Sequence, residues 1–402
     1  MKKFFAMLLA LVMALSLAAC GGSGGSEGSG GSQPSGGSSS GGDKVVKIGV
    51  FEPATGDSGA GGKQEMLGMQ YANKETPSVV IGGETYSVEL VYADNASDAA
   101  KAPTAASQLV SQDVSLVLGT YGSSCAIAGG PIFGEAGLAA IGVTCTNPGV
   151  TAGNDYYFRI CFLDPFQGTV LANFAKDKFS AGKAYCLAKQ GDDYSVGLCN
   201  YFMEAFGKDN CVYETFPEGT SDYSSYVTNA KNSGAQVFFA PVSTEAAALI
   251  IDQAATQSLG MPMLAGDTWD SNVITAAAKG KDVDINVTTF YQEGGNPEFD
   301  AGIKEWINAD STNLTNNNGN DEVAAVTVMG YDAYYVALEA LKAAGSTKPA
   351  DVMAVLGGVE FDGVSGHIAF DDVNGDAIRD VAYVKHCNTE TGSWEFVAQQ
   401  GV

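Results

Sequence analysis

From residue 44 onward, short apolar runs alternate with longer amphipathic stretches. Runs at 45–51, 86–93, 114–118, 138–143 and 157–161 predict strands, and 62–75, 96–112 and 125–136 predict the helices between them. A second series repeats the pattern, with strands at 183–189, 210–216, 236–240, 263–265 and 287–291. Its helices fall at 166–179, 195–206, 223–232, 244–257 and 271–279. Two more helices are expected near 297–309 and 324–344, separated by an Asn-rich polar stretch at 311–321 that reads as an exposed loop. Short strands at 361–370, 381–387 and 394–397 close the chain. Strand–helix alternation of this kind builds parallel sheets, so the fold class is α/β, in two successive units.

The first 43 residues break this pattern. Met1-Lys2-Lys3, an apolar core at 4–17 and Leu17-Ala18-Ala19-Cys20 predict a signal peptide over 1–20. Its end resembles the bacterial lipobox, which implies that Cys20 is lipidated and anchors the chain to a membrane. Residues 21–43 are almost wholly Gly and Ser, a composition that buries no core and serves as a tether. Its reach is about 25 Å. No other stretch approaches the ~18 apolar residues a membrane span needs.

Composition narrows the partners. A net charge of −25 repels phosphate backbones, so nucleic acid is excluded as a partner. Of eight cysteines, Cys20 is assigned to lipid, leaving an odd seven, so at least one lacks an intramolecular partner. A Cys186–Cys211 disulfide between neighbouring strands stays open. The two histidines, His367 and His386, are far in sequence from Ser123, which sits in Tyr-Gly-Ser-Ser-Cys and not in a nucleophile elbow. The glycine-rich turn 56–64 matches neither phosphate-binding motif. An enzyme is therefore not expected, and no cofactor or metal is called for. The turn 370–376 lacks the acidic spacing of a calcium loop.

The most informative stretch is 114–151. It reads as strand, hydroxyl-rich turn, helix, strand, and a second polar loop, Thr144-Cys145-Thr146-Asn147-Pro148. Both loops leave the carboxyl ends of their strands, where open α/β sheets place ligands. Ser123 and Ser124 stand where the helix begins, ready to grip an anion.

Gly119…Gly122-Ser123-Ser124 followed by Thr144…Thr151 resembles the type I periplasmic binding proteins, nearest to the leucine/isoleucine/valine-binding family of ABC importers. Asp164-Pro165-Phe166-Gln167-Gly168 resembles that family's first interdomain crossing, and Phe370-Asp371…Gly375-Asp376 its closing turn. The resemblance implies two Rossmann-like lobes joined by a three-segment hinge. Lobe 1 would comprise 44–164 plus 291–377, and lobe 2 165–290 plus 378–402. It implies an extracytoplasmic lipoprotein that closes on a small amino acid and delivers it to ABC permease subunits. A sensor of small amides or carboxylic acids is the alternative.

The family's site carries over residue by residue. Ser123 matches the residue that binds the ligand carboxylate, while Thr144 and Thr146 match residues that touch carboxylate and ammonium. Tyr194 matches a ligand-covering tyrosine. Asp267 matches the acid that takes the ammonium, with Asp270 second. Tyr121, Phe290 and Tyr291 are expected as pocket walls. Gly61 falls where relatives place a first-lobe aromatic, a Tyr-rich loop is missing at Val242-Ser243-Thr244, and Glu52 replaces a glycine. The first two departures weaken the case for a branched-chain ligand and leave the amino-acid clamp intact.

Overall fold

The computed structural model describes residues 44–401. The signal segment, Cys20 and the tether lie outside the described residues. Two sheets organise the chain. The first has the order β2-β3-β1-β4-β5-β6, made of β1 (Val45–Glu52), β2 (Ser78–Ile81), β3 (Glu84–Asp94), β4 (Leu116–Leu118), β5 (Ala140–Gly142) and β6 (Tyr157–Arg159). All its pairings are parallel except β2 with β3, which turn back through Gly82 and Gly83 at φ 58° and 86°.

The second sheet starts from β7 (Ala184–Lys189), β8 (Cys211–Phe216), β9 (Val237–Phe239), β10 (Met263–Ala265) and β11 (Ile285–Thr289), all parallel. The late strands β14 (Ala382–Asn388) and β15 (Ser393–Gln400) join its β11 edge antiparallel. A small hairpin, β12 (Phe361–Gly363) with β13 (Gly366–Ile368), stands apart from both sheets.

Apolar faces explain the layers. The central strands are buried on both sides, as parallel sheets covered by helices must be. α1 (Gly59–Glu75) crosses α11 (Ala325–Ala344) backbone to backbone. A Cβ at Gly68 would lie 1.8 Å from the Thr327 carbonyl oxygen, and one at Gly330 2.1 Å from that of Glu65. Only glycine permits that approach, and it fixes the height at which Glu65 sits beneath the sheet ends.

The chain passes between the sheet regions three times: from β6 into α4 (Asp164–Phe179), from β11 into α9 (Pro297–Ala309), and from β13 into β14. An almost fully buried ion pair ties the first and third passages, Arg159 Nε to Asp376 Oδ1 at 2.6 Å. The same guanidinium donates to the carbonyls of Cys145 and Asn147, at 2.9 and 2.6 Å. Asp371 accepts from the backbone N–H groups of Val373, Asn374 and Gly375, so its carboxylate is spent on the shape of the turn at 370–376.

Several elements depart from the sequence expectation, the single strand expected at 361–370 among them, which is the hairpin of β12 and β13. β2 and α12 (Pro349–Leu356) were not expected, and the stretch 311–321 is not a plain exposed loop. It contains α10 (Ser311–Asn316) and delivers Asn317 to a fully buried position. The helix expected at 96–112 is the shorter α2 (Ala102–Val110), because Ala96 and Ser97 take positive φ in the turn before it. All seven described cysteines are free thiols, Cys186 and Cys211 included. No helix among the described residues is long and apolar enough to cross a membrane.

Candidate functional site

On the first sheet, β4 ends in Gly119 and Gly122, both at positive φ, and α3 (Ser123–Glu135) begins with no side-chain cap. Its first turn therefore keeps N–H donors for an anion. Ser123 is buried, and its hydroxyl accepts from the Asn147 N–H at 3.1 Å, which ties the two ligand loops together. The Thr144 hydroxyl donates to Glu65 Oε2 at 2.5 Å. Thr146 is fully buried, and its hydroxyl makes no hydrogen bond of normal length, although it lies beside Asp164. The space opposite Gly61 is not empty: a Cβ there would lie 2.5 Å from the ring of Tyr121. Tyr121 thus replaces from the neighbouring loop the aromatic wall that Gly61 does not supply.

The second sheet contributes the opposing side. The loop after β7 leads into α5 (Asp193–Phe206), capped by Asp192, which accepts from the Ser195 N–H at 2.9 Å. That cap aims Tyr194 so that its hydroxyl donates to Asp267 Oδ1 at 2.9 Å. Asp267 opens the single helical turn after β10. Gln167 of α4 grips it twice, donating from Nε2 to Oδ1 at 2.9 Å and accepting from its N–H at 2.8 Å. Asp270 lies three residues on but is already engaged by Lys385 at 2.9 Å and by the Thr289 hydroxyl. Asp267 is the acid of this segment left without a cation.

Phe290 and Tyr291 are not brought to this cluster. Phe290 stacks on Phe162 at 4.3 Å within the second passage, and Tyr291 donates to Asp300 at the start of α9.

The contacts close into a ring. Thr146 lies beside Asp164; Gln167 reaches from Asp164 to Asp267; Tyr194 joins Asp267 to Thr268. The Tyr121 hydroxyl donates to the Thr268 carbonyl at 3.3 Å, and its N–H to Glu52 Oε2 at 2.7 Å. Glu52 faces Glu65, which meets Thr144. Four acids stand in this ring, all buried, and among the described residues no Lys or Arg hydrogen-bonds to any of them.

Burial without cations raises every one of these carboxyls. Glu52 is pushed well up by burial and by the charge of Glu65. Burial lifts Glu65 to about 7, although hydrogen bonds from Glu52 and Thr144 work against it. Asp164 rises to about 8 through burial, and Asp267 to about 6, the latter held down by Gln167 and Tyr194. Glu52 Oε1 and Glu65 Oε1 have no other donor, and one proton kept between them satisfies both.

Outside the ring, further bonds join the two sides. Ser124 Oγ donates to Asp192 at 3.0 Å, Asn147 Nδ2 to the Asp193 carbonyl at 2.7 Å, and Lys189 pairs with Asp57 at 2.8 Å. Gln64 meets Asn272 and Asn317 in the Asn-rich region. The cleft is shut in this structure. At its rim a groove of about 450 Å³ is bordered by Asp57, Lys101, Lys189 and Glu218.

Sequence reasoning did not name Glu65, Asp164, Gln167 or Thr268 as site residues. A signal existed for each acid: Glu65 lies among the buried positions of α1, and Asp164 opens the crossing motif itself.

Two parallel α/β sheets, three passages and an enclosed polar site between strand ends define a class of hinged solute-binding proteins. A model of the periplasmic binding protein family matches residues 45–390, and the chain belongs to that family, as a type I member of its branched-chain amino acid group. It is similar to Leu/Ile/Val-binding protein homolog 2 of Brucella abortus, 28% identical over 332 residues, which cover 81% of this chain and 86% of that one. A solved leucine-binding protein from Thermotoga maritima is 31% identical, with a TM-score of 0.78 over 89% of this chain and 99% of the other. A benzoate-bound solute-binding protein from R. palustris shares the fold, with a TM-score of 0.76 at 19% identity, over 89% of this chain and 96% of that one.

Proposed function

We propose that this protein is the extracytoplasmic solute-binding component of an ABC importer and holds an α-amino acid between its lobes. The observation that carries the reading is the dipolar arrangement of the ring. Ser123, Thr146 and the uncapped start of α3 supply donors for a carboxylate on one side. Asp267, with no cation of its own, waits for an ammonium on the other, covered by Tyr194. Thr144 lies between these groups, and Tyr121 walls the space from the first lobe.

The lobes run 44–164 plus 291–377 and 165–290 plus 378–402, turning about the three passages. Ligand draws them together, and the closed form docks on permease subunits. Cys20 carries the lipid that holds the domain at the membrane, and the protein performs no catalysis. The names of the Brucella abortus and Thermotoga maritima relatives support an amino acid as ligand. A receptor for carboxylic acids or small amides is the second reading. It leaves Asp267 without a positive partner, which is why the amino acid is preferred.

A thermal-shift screen of the purified domain against all amino acids, small amides and simple acids tests this. Stabilisation by at least one free amino acid, and none by its amide lacking the α-amino group, is expected. The reverse preference would sink the amino-acid reading. Small-angle scattering should show a smaller radius of gyration with ligand, and an unchanged profile at saturation would count against closure. Cys20→Ser should release the protein from membranes of its host. Wild-type protein found wholly unlipidated would remove the anchor.

A further inference from the structure

The ring holds more acid than an ordinary amino acid needs. A zwitterion brings one ammonium, and Asp267 is placed to take it. Glu65 remains, buried in the same enclosure, close enough to Asp267 for the two charges to repel. A carboxylate has about four lone-pair positions. The Thr144 hydroxyl and the proton shared with Glu52 occupy two of those on Glu65. The nearby cations are spent elsewhere, Arg159 on Asp376 and Lys385 on Asp270. A second feature points to a missing guest: Glu65 Oε1 and, in the loop that carries Thr144, the Thr146 hydroxyl beside Asp164 are both buried and make no hydrogen bond of normal length. An aliphatic side chain laid against Glu65 would strip a carboxyl of water and return nothing to it.

We propose that the ligand is a basic amino acid, its α-ammonium on Asp267 and its side-chain cation on Glu65, with Glu65 as the residue that sets specificity. The inference rests on the amino-acid reading above and goes beyond it, since it replaces an apolar side chain by a charged one. Glu52 supports the arrangement by keeping its proton: as a neutral acid it donates to Glu65 and orients it, and its other oxygen is fixed by the Tyr121 N–H. Tyr121 lies within reach of the charge of both acids, its ring packed over Gly61. A branched aliphatic ligand has no group for Glu65, and a diamine without a carboxylate has none for the donors at Ser123.

Calorimetric titration of the purified protein near neutral pH with lysine, ornithine, arginine, norleucine and leucine tests the assignment. Norleucine keeps the shape of lysine and lacks only the terminal ammonium. At least one basic amino acid should bind roughly 10²-fold more tightly than norleucine, the scale expected when a buried charge loses its partner. In Glu65→Gln that ratio should fall close to one. Leucine or norleucine binding as tightly as every basic amino acid would overturn the role of Glu65 and leave the amino-acid site standing. No binding by any of the five would overturn the basic-amino-acid assignment, and the amino-acid reading would fall only if the screen of all amino acids also found none. A Glu65→Gln protein that fails to fold leaves the wild-type ratio as the deciding number.

Discussion

Two regions of the molecule treat buried acid in opposite ways. Around Arg159 and Lys385 each buried carboxylate has its base: Asp376 of the third passage with Arg159, and Asp270 beside β10 with Lys385, both pairs almost fully buried. In the ring, Glu52, Glu65, Asp164 and Asp267 have hydroxyls, amides and one another, and among the described residues no hydrogen-bonded Lys or Arg. A buried charge without a counter-charge is costly and lowers that cost by keeping a proton. Those two pairs are therefore complete as they stand. The ring is complete only with protons or with a positively charged guest, and that is the physical mark of a site that awaits a ligand.

The sharpest way to break the comparison is to remove a partner in the complete region. Asp376→Ala strands Arg159 at the point where first and third passages meet, and should cost about 3–5 kcal/mol of unfolding free energy. Urea denaturation measures it, and a loss under 1 kcal/mol would mean that the pair does not organise the passages. Asp267→Asn should by contrast leave stability unchanged or raise it.

The two regions should also differ in pH response. Ring carboxyls lie above their unfolded values, at about 6 for Asp267, 7 for Glu65 and 8 for Asp164. A raised acid binds its proton more tightly folded than unfolded, so it stabilises at low pH and loses that contribution as pH climbs through the folded value. Ligand-free protein should therefore lose stability from about pH 4 to 8, by on the order of 2 kcal/mol for Asp267 alone, most of it gone by about pH 6. An amino acid, which needs Asp267 ionised, should bind more tightly over the same range. Denaturation and calorimetry at both ends measure the two slopes, and slopes of the same sign would contradict the account.

Smaller effects come from the groups that aim the acids. Tyr194→Phe removes one of two side-chain donors to Asp267 and should weaken ligand binding about tenfold, as read by titration. Lys189→Ala cuts a partly exposed bridge to Asp57 at the rim and should change affinity by no more than about fivefold. A larger loss there would move weight from the ring to the rim.

Much of this architecture was legible from periodicity, because parallel strands buried on both faces leave unbroken apolar runs such as Leu-Val-Leu at 116–118. What escaped was short or locally ambiguous. β2 is four residues long and announces itself only through the two-glycine turn at Gly82 and Gly83. The buried Asn317 hides inside a polar run, since its burial comes from Gln64 and the neighbouring backbone and not from its own character. At the site, Asp267 and Tyr194 were within reach of motif spacing, and Tyr121 was named as a wall. That Tyr121 fills the space over Gly61 depends on the start of α1 meeting a loop 60 residues on, which spacing alone does not disclose. The pairing of Glu52 with Glu65 is of the same kind, made by the glycine-mediated crossing of α1 and α11.

The most direct measurement is isothermal titration of wild type and Asp267→Asn with the tightest-binding amino acid. Removing the carboxylate leaves the buried α-ammonium unpaired, so affinity should fall about 10²–10³-fold while the melting temperature of the ligand-free protein holds or rises. Equal affinity in the two proteins would contradict the account, because the ammonium would then be held by some group other than the one buried acid aligned by both Gln167 and Tyr194.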